Sequence, residues 1–326
     1  MQADGIWSLD ATTYQNHVLH QSGRDWQESN CYIDVWIEVL HALGLDVHAC
    51  LPFTLASDFE DDQWTFYKPP HTELESLYGL DVQELTLWRD LISHCADQTA
   101  GGKLVFVEMD AFHLPDTAGT DYQQQHTKTT IAVARIDAQA RTLGYFHNTG
   151  YYELAGEDFE GVFKTGERPA DYLPPYAEWV KLDKLVHRSD ADLTEHSLEL
   201  VRHHLRRAPT ENPLQRFADR FPKDLDWLFE RDLAAYHMYV FAGVRQCGSS
   251  FDLAAHYLRW LAKRGRPDLE QPAADLASIS SGCKTLILKL ARIVNRKKPA
   301  DLTPNIRAMA GYWDAAMTSL RSGIGR

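Results

Sequence analysis

The sequence predicts an α+β protein, with helices and an antiparallel sheet in its first half and a helical bundle in its second. Three observations carry this. Short runs rich in β-branched and aromatic residues concentrate between residues 104 and 147, which is the texture of strands. Apolar residues recur at helical spacing in the last third of the chain, as amphipathic helices require. Between the two lies the proline-rich segment Arg168–Pro175. With 326 residues, 44% of them hydrophobic and 24% charged, the chain can bury one large core or two ordinary ones. The segment therefore divides it into residues 1–175 and 176–326.

The first helix is expected from Tyr32 to Leu43, stopped by Gly44. A second is opened by Thr72-Glu-Leu-Glu75, whose Thr and Glu have capping-box spacing. Strands follow at Leu104–Phe112, Lys128–Asp137 and Thr142–His147, the last two forming a hairpin through Ala138–Arg141. Beyond the prolines, helices are expected around 195–207, 251–263 and 284–296. Another presents Leu225, Leu228, Phe229, Leu233, Tyr236 and Val240 on one face. The last carries Ile306, Met309, Ala310, Trp313, Met317 and Leu320, with Thr303 as N-cap and Pro304 at its first position. The apolar faces of this bundle need a partner, so it is expected to pack on the first half, with a site in the cleft between them.

Composition narrows the function. The net charge of −13, from 33 Lys+Arg against 46 Asp+Glu, argues against a nucleic-acid partner. No run approaches the ~18 apolar residues of a membrane span, and the start lacks the basic and apolar regions of a signal peptide, so a cytoplasmic protein without membrane association is expected. Five cysteines in no C-x-x-C pair read as reduced thiols. His41, His48, His203 and His204 lack metal-ligand spacing, so no metal is expected. Gly282-Cys-Lys-Thr285 mimics the end of a phosphate-binding loop, but Ala277 stands where its first glycine belongs. The charge is uneven: residues 284–326 hold nine Lys/Arg and two Asp/Glu. This basic stretch reads either as a dock for an acidic partner or as a solvated helix face.

One constellation points to nucleophilic chemistry. Cys31 stands directly ahead of an apolar helix, where unpaired backbone N–H groups and the positive end of the dipole favour a thiolate. Its own N–H, with Asn30 or Gln27, would hold an oxyanion. A thiolate needs a base, and the base an orienter. His126 opens the first strand of the hairpin and Asn148 closes the second, giving Cys31, His126 and Asn148 as a triad, while His147 should face the other way. The plain alternative is that a cysteine at a helix start is a small buried hydrophobe. The rival nucleophile is Cys247, in Gln246-Cys-Gly-Ser-Ser-Phe251, but no strand pair bearing a histidine follows it, and His256 lies in the same helix. Arg245 and Gln246 are candidates for gripping substrate, and Asp110 and Asp34 for orienting an acceptor amine.

The runs Asn30-Cys31-Tyr-Ile-Asp34-Val-Trp36-Ile-Glu38, Val107-Glu-Met-Asp110-Ala-Phe112-His-Leu114-Pro115-Asp116 and Gly144-Tyr-Phe-His-Asn148-Thr-Gly-Tyr151, together with His126, Arg245-Gln246 and Phe251-Asp-Leu-Ala-Ala255, resemble the DUF1839 family over most of the chain. More distantly, a cysteine before a helix, a D-x-F-x-L-P strand, then a histidine and a polar residue on successive strands is similar to the N-terminal domain of the butirosin-biosynthesis acyltransferase BtrH and to papain-like cysteine peptidases. The resemblance implies a papain-like core in which Cys31 is nucleophile, His126 base and Asn148 orienter. BtrH-like sequences tend to have Asp where Asn148 stands, so the third charge is missing here. The resemblance further implies aminoacyl transfer from an acidic carrier-protein thioester to a small-molecule or peptide amine, since the family is associated with amino acid:carrier-protein ligases. No cofactor is then needed beyond the phosphopantetheine arm of the donor. The alternatives are a cysteine hydrolase (peptidase, amidase or thioesterase) using the same residues, and a non-catalytic module that binds a carrier protein or peptide.

Overall fold

Contacts within the computed structural model, which describes residues 3–21, 24, 26–164, 173–298 and 300–324, divide the chain into two units. One takes Met1–Ser22, Asn30–Val47 and Pro70–Arg188; the other takes Gly23–Ser29, His48–Pro69 and Ser189–Arg326. The last change of unit along the chain falls after Arg188, where the expectation placed it at 175/176. Residues 165–172 lie outside the described residues, but the strand Ala177–Lys181 follows the prolines and pairs with two strands of the first sheet.

The first unit is mixed helix and sheet. Its strands are β1 (Asp81–Glu84), β2 (Lys103–Asp110), β3 (Lys128–Asp137), β4 (Thr142–His147), β5 (Gly150–Ala155) and β6 (Ala177–Lys181). They form one antiparallel sheet in the order β1-β6-β2-β3-β4-β5. The β3–β4 hairpin matches the expected bounds, because both strands are nearly continuous buried runs closed by a turn in which the Asp137 carboxylate accepts the N–H groups of Gln139 and Ala140. Four helices belong to this unit: α1 (Cys31–Ala42), α2 (His71–Tyr78), α3 (Leu91–Ala100) and α4 (Glu157–Phe163).

Helix α1 lies over β3, β4 and β5, whereas α3 packs on β2 and β3. Side chains alternate across the strands. Val105, Val107, Ile131, Val133 and Tyr145 therefore meet Cys95, Phe159 and Phe163 in one core, and Phe106 turns to the other face, where Trp36 of α1 stacks on it at 4.5 Å. Every residue of α1 from Tyr32 to Leu40 is buried, so the helix is held by packing on all sides. The expected capping box of α2 does not form. Pro70 occupies the N-cap without a side-chain bond, and Thr72 sits inside the first turn.

The second unit is helical: α5 (Asp190–Arg207), α6 (Pro213–Phe229), α7 (Leu233–Tyr239), a π-helical turn (Val240–Arg245), α8 (Gln246–Ala262), α9 (Glu270–Arg296) and α10 (Thr303–Gly323). The expected single face from Leu225 to Val240 is broken after Phe229, because the Asp232 carboxylate accepts the Ala235 N–H at 3.0 Å and starts a new helix. Thr303 is the first residue of α10, not its cap; the Asp301 carboxylate takes the Thr303 N–H. Helices α8 and α9 pack closely at Gly248, where a Cβ would come within 2.3 Å of the Trp26 ring and 2.8 Å of the Cys283 Cβ. No helix among the described residues is long and apolar enough to cross a membrane.

Candidate active site

Cys31 is the first residue of α1. Asn30 caps that helix: its side-chain oxygen accepts the N–H groups of Tyr32 (3.2 Å) and Ile33 (3.1 Å). The Cys31 N–H takes no partner among the described residues, so one oriented donor stays open beside the thiol. The thiol donates to the Thr130 hydroxyl at 3.8 Å. Four of the five cysteines are buried and Cys31 alone is partly exposed. Burial pushes the Cys95 thiol up to about 12 and the Cys247 thiol well above its ordinary value. Cys247 also lies within a continuous helical run rather than at a free helix start, which removes the rival nucleophile's rationale.

The register of the sheet shows what faces the thiol. Thr130 pairs with Glu108 on β2, and Lys128 with Asp110. On the other side the ladder ends at Ala132 paired with Phe146. Glu108 and Thr130 thus form the observed pair nearest Cys31, and a threonine stands at the strand position facing the thiol. His126 lies four residues before Thr130, so their Cα atoms are separated by up to ~13 Å along the chain. Its Nδ1 is 2.7 Å from an Asp110 oxygen, its ring stacks on Phe112 at 4.5 Å, and its side chain is 73% exposed. Among the described residues no hydrogen bond joins Cys31 to His126 or His126 to Asn148. The side chain that holds His126 is Asp110, not Asn148. Asn148 occupies the two-residue turn between β4 and β5 with φ +42°, a conformation asparagine tolerates better than most residues.

The His126–Asp110 pair lines a pocket of about 290 Å³ whose walls also include Glu108, Lys128, Leu91 and Val162. Lys128 donates to Glu108 at 2.7 Å. On α1's other side, Tyr32 donates to Glu178 at 2.7 Å and lies 2.8 Å from His71 Nε2, while Tyr176 donates to the second Glu178 oxygen at 2.7 Å. Burial, then the Glu178 charge, raises the Tyr32 phenol far above its ordinary value. Tyr32 stays a neutral donor, and the buried Glu178 is satisfied by two hydroxyls.

The remaining expected site residues are placed elsewhere or held by structural work. Asp34 is buried and 3.3 Å from His20 Nε2, so it fastens α1 to the preceding segment instead of meeting an acceptor amine. Arg245 donates to the Ser29 and Glu28 carbonyls and to the Glu28 carboxylate, and Gln246 is buried with its amide donating to the Phe241 carbonyl. Both lie in the second unit, as does the exposed Gln27. His147 faces away from Thr130; it bonds Asp116 (2.6 Å) and Thr129 (2.8 Å), and Tyr145 completes the buried network by donating to Asp116 at 2.5 Å. Sequence reasoning passed over Thr130, Glu178 and His71. A buried glutamate between apolar neighbours in Ala177-Glu-Trp-Val180 was the one available signal.

Fold and site together define a mixed helix and sheet protein whose one accessible thiol opens a buried helix over an antiparallel sheet. Residues 15–182 match the DUF1839 N-terminal domain and residues 190–322 the DUF1839 C-terminal domain; the chain belongs to the DUF1839 family. The gap between the two matches contains the Arg188/Ser189 division of the structure. No curated protein matches the chain.

Proposed function

We propose that this protein is a cysteine-dependent acyltransferase that passes an acyl group, most concretely an aminoacyl group, from a carrier-protein thioester to an amine. The observation that carries the reading is the Cys31 site: an accessible thiol at a helix start, beside an N–H with no partner among the described residues. In this reading the Cys31 sulfur attacks the thioester carbonyl, the carbonyl oxygen meets the Cys31 N–H, and the carrier's phosphopantetheine thiol leaves with a proton. The amine then attacks the acyl-enzyme, loses its proton and restores the Cys31 thiol. A helix opening with cysteine across an antiparallel sheet is the papain-like arrangement, and similarity to BtrH-like acyltransferases is part of the same proposal.

His126 is the proton carrier of this reading, with Asp110 as its orienter. It sits on an exposed stretch before β3, and the reading requires it to come within hydrogen-bond reach of the thiol when the donor binds; catalytic hydrogen bonds commonly tighten only in the complex. One observation favours a second reading. Thr130 cannot serve as a base, and its place opposite Cys31 suits a module that binds a carrier protein or peptide without turnover. Single-turnover assays with an aminoacyl carrier protein and hydroxylamine as acceptor separate the readings. Transfer is expected in the wild type, lost in Cys31→Ala, and reduced about 10²-fold or more in His126→Ala. Asp110→Asn should lower the rate with a shifted pH profile, and Asn148→Ala should leave it nearly intact. Binding without transfer in any variant supports the module, and water competing fully with hydroxylamine makes the enzyme a hydrolase.

A further inference from the structure

Two thiols and a thioether meet in the interior of the second unit. The close approach of α8 and α9 at Gly248 brings the neighbouring Cys247 Sγ to 3.5 Å from the Cys283 Sγ, and the Met309 thioether of α10 lies 3.9 Å from the same Cys283 sulfur. Both cysteines have no exposed surface. Their sulfurs are roughly 1.5 Å farther apart than in a disulfide, a gap within the reach of side-chain rotation.

The sequence around Cys247 shows how the pair is reached. Cys247 follows the π-helical turn Val240–Arg245 by one residue, and Phe241 and Ala242 of that turn are exposed. Such a turn interrupts the regular hydrogen-bond ladder of a helix. Gln246 joins the turn to Cys247, and its Oε1 is buried with no hydrogen-bond partner among the described residues. An unmet buried acceptor costs free energy in the closed state, so this end of α8 is a weak point for local opening. Burial, then the neighbouring Cys283, pushes the Cys247 thiol well above its ordinary value. Cys247 therefore rests as a thiol and waits on such an opening.

We propose that Cys247 and Cys283 form a modification site, a buried dithiol that a small uncharged hydroperoxide oxidises to a disulfide linking α8 to α9. The burial of both sulfurs sets the oxidant class, since a bulky disulfide such as oxidised glutathione cannot reach them. Cys247, beside the turn, gives up its proton and attacks one peroxide oxygen. The S–O bond forms, the O–O bond breaks, and the other oxygen leaves as water. Cys283 then attacks the sulfenic sulfur; the S–S bond forms, and the remaining oxygen leaves as a second water with the Cys283 proton. The two sulfurs lose two electrons and the peroxide gains them. Contact between the thiols decides the product, because the resolving sulfur is in place before a second peroxide arrives. The inference is independent of the chemistry at Cys31, which belongs to the other unit.

The test treats the full-length Cys31→Ala chain, which lacks the accessible thiol, with hydrogen peroxide under native conditions. Intact mass should fall by about 2 Da, and peptide mapping should find Cys247 joined to Cys283 until dithiothreitol separates them. Oxidised glutathione should produce no link, and the oxidised chain should unfold at a higher guanidinium concentration than the reduced one. Cys283→Ala, its fold checked by circular dichroism, should lose the link and carry oxygen on Cys247. Two thiols still free after prolonged peroxide, Met309 sulfoxide in place of the link, or a link that forms only in guanidinium would overturn the inference. Linking by oxidised glutathione as fast as by peroxide would overturn the oxidant class.

Discussion

His20 sits between two buried carboxylates of α1: its Nδ1 bonds Glu38 and its Nε2 faces Asp34 at 3.3 Å. Tyr14 donates to Glu38 at 2.6 Å, and so does the His17 N–H at 3.0 Å. The cluster fastens the chain before α1 to the helix whose first residue is Cys31. Burial alone would drive the imidazolium toward its neutral form. Hydrogen bonds and attraction from Asp34 and Glu38 override it and hold the His20 pKa at about 9, against 6.5 when unfolded. A folded value above the unfolded one contributes stability that is complete below pH 6.5 and lost as pH rises through about 9. The difference corresponds to about 3 kcal/mol. The perturbation is a pH series from about 6 to 10 in guanidinium unfolding, on the wild type and on His20→Gln/Asp34→Asn/Glu38→Gln, whose cluster cannot titrate. The stability difference between the proteins should shrink by about 3 kcal/mol toward the alkaline end. Parallel profiles would refute the assignment of a charged His20.

Iodoacetamide should label the native protein once, at Cys31, because the other four thiols are buried; intact mass with Cys31→Ala checks the site. Gly79→Ala should destabilise the first unit by more than about 2 kcal/mol, since the residue has φ +73° and a Cβ would lie 1.9 Å from the Lys184 carbonyl oxygen; the denaturation midpoint reads this. Asp116→Ala removes the partner of both buried His147 and Tyr145 and should cost about 2–4 kcal/mol, whereas Tyr145→Phe, which leaves the His147–Asp116 bond, should cost only about 1 kcal/mol.

What could be read in the sequence follows from how local its cause is. Helix α1 and the β3–β4 hairpin were legible because burial on both faces makes continuous apolar runs, and Gly44 ends the helix. Strand β1 was not: of Asp81-Val-Gln-Glu84 only Val82 is buried, so the strand is held by pairing with β6 and not by its own pattern. The start of α7 depends on one capping aspartate that the apolar spacing overrode. At the site, the placement of Cys31 is a local matter and was visible. The partnership of His126 with Asp110 and the stand of Thr130 opposite the thiol depend on cross-strand register, which chain spacing does not fix. Asn148 could have been recognised as a turn residue from Asn148-Thr-Gly150 between two strand-like runs.

Intact-protein mass spectrometry after mixing with an aminoacyl-loaded carrier protein, on the wild type, Cys31→Ala and Cys247→Ala, tests the acyl-enzyme most directly. Cys31 chemistry predicts one acyl adduct on the wild type and on Cys247→Ala, discharged by hydroxylamine, and none on Cys31→Ala. An adduct that survives in Cys31→Ala, or no adduct on any of the three, would contradict it.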